Sequence, residues 1–126
     1  MATLLVAHLL TVTPVSARYY DPNSKACDLV AKQALAVGWP KRELKNVRRV
    51  AARESLCSTV AFNKRDPWGG SRGYMQLNGS NVGWLKRSGI INNAEDLHHP
   101  LKNLRAALAL WKLYGWRPWA GSSIAP

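Results

Sequence analysis

Residues 44–78 read LKNVRRVAARESLCSTVAFNKRDPWGGSRGYMQLN, and two changes of pattern inside this stretch decide the fold class. Up to Ser55 the apolar positions Leu44, Val47, Val50 and Ala51 recur at helical spacing, which predicts a helix from about Lys41 to Ser55. Extending the 44–47–51 stripe by three residues reaches Glu54. A carboxylate is therefore expected on the face the helix buries, near its C-terminal end, while Arg48, Arg49 and Arg53 mostly point elsewhere. The alternative is that the last turn has already emerged into solvent. Beyond Ser58, Pro67 and the glycines at 69, 70, 73 and 79 exclude a long helix. Tyr74-Met75-Gln76-Leu77 is the one piece able to pair as a short strand.

On the N-terminal side, Ser24 can cap a helix filled by Leu29, Ala31, Ala34, Leu35 and Val37, with Asp28 favourable in its first turns. Gly38 and Pro40 stop it. On the C-terminal side, a short helix is expected from Asn81 to Ser88, closed by Gly89. A connecting segment, Ile90 to His99, follows with Asn92 and Asn93 as caps. Pro100 suits the first position of a last helix, whose buried face is Leu101, Leu104, Ala107, Leu108 and Trp111. Gly115 ends it, Trp116-Arg117-Pro118-Trp119 follows, and the chain from Ala120 reads as a loose tail. The expected fold is mainly α (α+β), with a small irregular or β insert between helices.

The chain has 126 residues, one domain's worth, and 47% are hydrophobic, which excludes disorder as the main state. Eighteen Lys and Arg against seven acids give a net charge of +11. That balance attracts polyanions: nucleic acid, anionic lipid or the acidic polymers of a bacterial wall. Met1 to Ala17 resembles a short secretory signal cleaved after Ala17, although its first residues hold no Lys or Arg. It is too short to span a bilayer. Arg18 to Lys25 would be a polar lead, residues 26–121 the folded domain and residues 122–126 its tail. In an exported chain Cys27 and Cys57 pair by default. Such a bond closes a loop of about 30 residues and contributes roughly 3–4 kcal/mol in the chain-entropy model. Two buried free thiols are the alternative, and a zinc site with His98 and His99 has the wrong spacing.

Several motifs now stand in order. Glu54-Ser55 ends a helix, Ala61 and Asn63 follow, and then Gly73-Tyr74-Met75-Gln76-Leu77. Asp96-Leu97 with Pro100 and Asn103 leads into the last helix, and Gly115-Trp116 with Trp119 closes it. This arrangement resembles the lysozyme-like fold of soluble lytic transglycosylases and goose-type lysozymes, glycoside hydrolase family 23 and its relatives. The resemblance covers about residues 26 to 121, and Cys27 with Cys57 resembles a small secreted subgroup.

The resemblance implies cleavage of bacterial peptidoglycan strands, with Glu54 as catalytic acid and no cofactor or metal. A carboxyl group protonates a leaving oxygen near neutral pH only if its pKa is raised, and burial on an apolar face does that. Asp66 is the one acid in the loop facing the expected cleft. It stands as a second carboxylate that positions water or as a turn residue before Pro67. In many members the substrate itself takes the nucleophile's part. Ser55, Asn63, Tyr74, Met75 and Gln76 are the implied substrate-binding residues, with Gln76 donating to a sugar and Met75 packing on its face. Trp84 and Trp111 read as core, whereas Trp116 and Trp119 either pack the terminal turn or touch sugar. The implied partners are peptidoglycan and anionic wall polymers, with no specific nucleic acid and no membrane span, for a monomer that is secreted, envelope-associated or phage-encoded. Two other classes remain open at this point: a basic helical nucleic-acid-binding domain and a catalytically silent wall-binding relative. Hydrolase and anhydro-forming transglycosylase are not separable from the residues.

Overall fold

The computed structural model describes residues 20–122. The signal-like stretch 1–17 lies outside them, as do residues 18 and 19 of the lead and 123–126 of the tail. Four α-helices carry the fold: α1 (Lys25–Ala36), α2 (Leu44–Ser55), α3 (Val82–Arg87) and α4 (Pro100–Tyr114). Short 3-10 turns precede α2, α3 and α4, at Lys41–Glu43, Gly79–Asn81 and Ala94–His98, and another, Arg117–Ser122, follows α4. Between α2 and α3 lies a three-stranded antiparallel sheet of two-residue strands, β1 (Phe62–Asn63), β2 (Ser71–Arg72) and β3 (Leu77–Asn78), in that order. Phe62 pairs with Arg72, and Arg72 with Leu77. The mainly α architecture with a small β insert is thus as the sequence implies.

The helix ends obey local chemistry. The Ser24 hydroxyl accepts the Cys27 N–H at 3.2 Å and caps α1. Pro100 opens α4, and Gly115 at φ 63° closes it. Asn93 caps the turn before α4 through the Asp96 N–H. The Asn92 backbone N–H donates to the Asp96 carboxylate at 2.7 Å, just ahead of that cap.

Three expectations are corrected. Leu29 and Leu35 are 50% exposed. The buried face of α1 is instead Cys27, Val30, Ala31 and Ala34, an i, i+3, i+4, i+7 set whose small residues let α2 approach closely. Tyr74-Met75-Gln76 is a turn, and the strands flank it. Gly73 and Gln76 have φ of 76° and 49°, the Gln76 N–H bonds the Gly73 carbonyl at 3.1 Å, and Tyr74 and Met75 are both buried. A strand would send one of those two side chains out to the opposite face. Finally, residues 120–122, read from the sequence as the start of a loose stretch, belong to the last 3-10 turn.

The core is built around indoles. Trp39, which the helical stripes did not place, donates its N–H to the Leu104 carbonyl at 3.0 Å. Its ring lies 5.3 Å from Trp111 and 5.6 Å from Trp116, and Trp116 lies 5.4 Å from Trp119. Trp111 and Trp84 are only partly buried but pack against the core. Trp119 donates to the Met75 carbonyl at 2.8 Å, tying the end of the chain to the central turn.

Candidate active site

Glu54 occupies the last turn of α2, directly before the residues that lock that helix end. Val47, Val50, Ala51 and Ala52 are buried beneath it, Leu44 packs against the core, and Glu54 is half-buried. Leu56 and Cys57 then take left-handed conformations, φ 55° and 57°, and their N–H groups return to Ala52 and Ala51. The Cys27–Cys57 disulfide, with Cα atoms 5.3 Å apart, fastens this corner to α1.

The electrostatics follow from that position. Burial pushes the Glu54 carboxyl above the usual carboxylate range, Arg53 pulls it back, and Asp66 adds a smaller upward push. The net direction is up. Arg53 does not point fully away, as the sequence argument required; its guanidinium sits 5.9 Å from the centre of the Tyr20 ring. Desolvation nevertheless outweighs its charge, because the carboxylate's lost hydration is the larger cost.

Asp66 comes within electrostatic range of Glu54 from across the chain. Asn63 donates to the Asp66 carboxylate at 3.0 Å while its own oxygen accepts the Arg65 N–H at 3.2 Å. Asn63 therefore braces the loop that carries the second acid.

The remaining expected binding residues have other work. Ser55 is buried, with its hydroxyl 2.8 Å from the Tyr74 carbonyl and 3.0 Å from that of Ala51, and it accepts the Ser58 N–H. Tyr74 is buried and bonds Gln33 of α1 at 2.8 Å. That burial raises the Tyr74 phenol's pKa, with the Gln33 bond opposing. Met75 is 0% exposed and so packs in the core and not on a sugar. Gln76 gives its amide N–H groups to the Ala61 and Gly73 carbonyls, both at 3.1 Å. These four fix the turn of residues 73–76; their donors are spent within the protein.

Asn103 completes the support. It is buried in α4, accepts the Met75 N–H at 3.1 Å, and donates to Leu97 and Arg72 carbonyls at 2.8 and 3.0 Å. Gly73 is required beside it, since a Cβ there would stand 2.3 Å from the Asn103 amide nitrogen. The sequence showed Asn103 as part of a motif but not its contacts, because two of its three partners, Met75 and Arg72, lie on a distant segment.

Glu54 thus sits half-buried at the end of α2, Asp66 acts on it electrostatically from the loop after β1, and the turn of residues 73–76 is held by Ser55, Asn103 and Trp119. Residues 31–121 match the family described as a lysozyme like domain. The chain belongs to this family. No curated protein and no solved structure matches the chain. Members of the lysozyme-like family act in general as glycosidases or transglycosylases, which ties the domain to peptidoglycan-related activity. Among the described residues no three His, Cys, Asp or Glu side chains gather to hold a metal ion, and no helix is long and apolar enough to cross a membrane.

Proposed function

We propose that the chain cleaves the β-1,4 bond between N-acetylmuramic acid and N-acetylglucosamine in peptidoglycan, with Glu54 as general acid and base. The observation that carries this reading is the half-buried Glu54, whose carboxyl burial pushes upward. A carboxyl that keeps its proton to higher pH than an exposed glutamate can pass it to the glycosidic oxygen, and the resulting carboxylate can then take a proton from the incoming hydroxyl. That hydroxyl belongs to water in a hydrolase and to the sugar's own C6 in an anhydro-forming enzyme. Asp66 supports the first route by its charge and its fixed place on the facing loop.

Residues 26–121 form the catalytic unit in this reading, working as a monomer without cofactor. The disulfide and the net charge of +11 support a secreted or envelope-associated protein held near anionic wall polymers, of bacterial or phage origin. Persistent, sequence-selective nucleic-acid binding is not expected. Glu54→Gln tests the assignment. It should reduce clearing of purified sacculi by at least about 100-fold while leaving fold and sacculus binding intact. Near-normal clearing would refute Glu54 as the acid. Mass analysis of the wild-type digest separates anhydro-muropeptides from reducing ends.

A further inference from the structure

We propose that the Trp68 indole is a stacking platform for one N-acetylhexosamine ring of the glycan, beside the two acids; this inference rests on the glycan-cleaving reading above. Trp68 is 75% exposed. The other five tryptophans all have a place in or against the core, so Trp68 alone spends a large apolar surface on solvent.

Its backbone makes that exposure more telling. Trp68 has φ 63°, a left-handed conformation that bulky residues rarely adopt and that folding must hold by other means. The means are visible on both sides of the residue. The Asn78 amide donates to the Pro67 carbonyl at 2.8 Å and to that of Gly70 at 3.3 Å. The Arg72 guanidinium donates to the Gly69 carbonyl at 3.0 Å. The chain also passes so close at Gly79 that a Cβ there would stand 1.7 Å from the Trp68 oxygen. An outward indole on a strained and heavily bonded loop gains nothing for the core. Such an outlier points to function.

Position selects the ligand. Trp68 lies two residues from Asp66, which acts electrostatically on Glu54, so one short loop carries both the exposed ring and the second acid. A pyranose offers a flat C–H face that desolvates well against an indole, while its polar edge remains free for solvent. A side chain with two rotatable bonds on a fixed backbone also loses little freedom on binding.

The test uses peptide-free glycan strands released from sacculi. KM and kcat are measured for wild type, Trp68→Ala and Trp68→Phe, and Kd for the same strands is measured with the same changes placed in Glu54→Gln. Trp68→Ala should raise KM and Kd about tenfold, the effect of losing some 1.4 kcal/mol, with kcat changed less than about threefold and Tm unchanged. Trp68→Phe should recover most of the affinity. Unchanged KM and Kd in Trp68→Ala, with wild type still cutting the strands, would remove the platform and leave the lytic reading standing. Strands that bind Glu54→Gln through Trp68 but are never cut by wild type would do the reverse. A fall in Tm with Trp68→Ala would show a structural role and overturn the proposal.

Discussion

The two walls of the candidate site are held by opposite means. The α2 end that carries Glu54 is anchored in the core by buried Val47, Val50 and Ala51, by the Ser55 hydroxyl, and by the disulfide to α1. The facing wall, residues 63–70, is almost all exposed. It is fixed by short polar bonds: Asn63 to Asp66, Asn78 to Pro67 and Arg72 to Gly69. Each wall suits what it carries. A raised carboxyl needs desolvation, which only the core side supplies. The sugar platform proposed for Trp68 and an acid placed to position water would need access, which the loop supplies. Rigidity therefore comes from packing on one side and from hydrogen bonding on the other.

The comparison can be broken by deleting two bracing asparagines, Asn103 in the core and Asn78 beneath the exposed loop. Asn103→Ala should destabilise the protein by about 3 kcal/mol or more, because the Met75 N–H and the Leu97 and Arg72 carbonyls lose their partner inside the core. Asn78→Ala should cost less, about 1–2 kcal/mol, since water can reach the Pro67 carbonyl and Ser80 N–H it leaves while Gly70 and Ser71 lose a partner in part-buried surroundings. Yet Asn78→Ala should weaken glycan binding, because it frees the loop under Trp68. Denaturant unfolding measures the first two quantities. Equal losses of stability would mean that the exposed loop depends on its hydrogen bonds as much as the core depends on Asn103.

The core wall was the more legible of the two. The stripe at Leu44, Val47 and Ala51 led directly to Glu54, and the Ser24, Pro100 and Gly115 signals marked true helix ends, because all of these depend on neighbours within two turns. The loop wall depends on distant partners. Nothing local announces that Gln76 will spend its amide on Ala61, that Tyr74 will reach Gln33, or that Met75 will be sealed under Asn103. Motif membership had suggested that these side chains meet substrate, when their bonds hold the turn. Trp68 was passed over because an indole between Pro67 and two glycines follows no periodic pattern. The signal was compositional: a large apolar residue in a segment otherwise built for turns.

A smaller effect sharpens the electrostatic half of the comparison. The loop's Asp66 raises the Glu54 carboxyl's pKa and the helix's own Arg53 lowers it. If Glu54 must be protonated to cleave, activity falls as pH rises through its pKa. Asp66→Asn removes a like charge, so the alkaline limb of the pH–rate profile should move to lower pH. Arg53→Gln removes an opposite charge, so the limb should move to higher pH. Two shifts of the same sign would mean that the alkaline limb belongs to another group. Asp66→Asn should also lower kcat a few-fold or more if it positions water, and that loss is separable from the shift of the limb.

The smallest expected effect is thermodynamic and independent of any substrate. Burial favours the neutral form of Glu54, so its pKa in the folded protein lies above the unfolded value of 4.5. Below that unfolded value the carboxyl is protonated in both states and costs nothing. As pH rises from there through the folded pKa, the unfolded chain releases the proton first, and the folded state loses stability relative to it. Ionised Glu54 is therefore a stability cost at neutral pH, held in place by the packing of α2. Glu54→Gln keeps the shape and removes the charge. It should raise Tm at pH 7 and leave Tm unchanged at about pH 3, well below the unfolded value, where the wild-type side chain is neutral in both states. Thermal melts of both proteins across that range decide the matter. A constant difference at every pH would trace the gain to packing or to the amide's own hydrogen bonds. A difference of opposite sign would mean that Glu54 is stabilised as a carboxylate, and with that the helix wall would lose its claim to hold the acid.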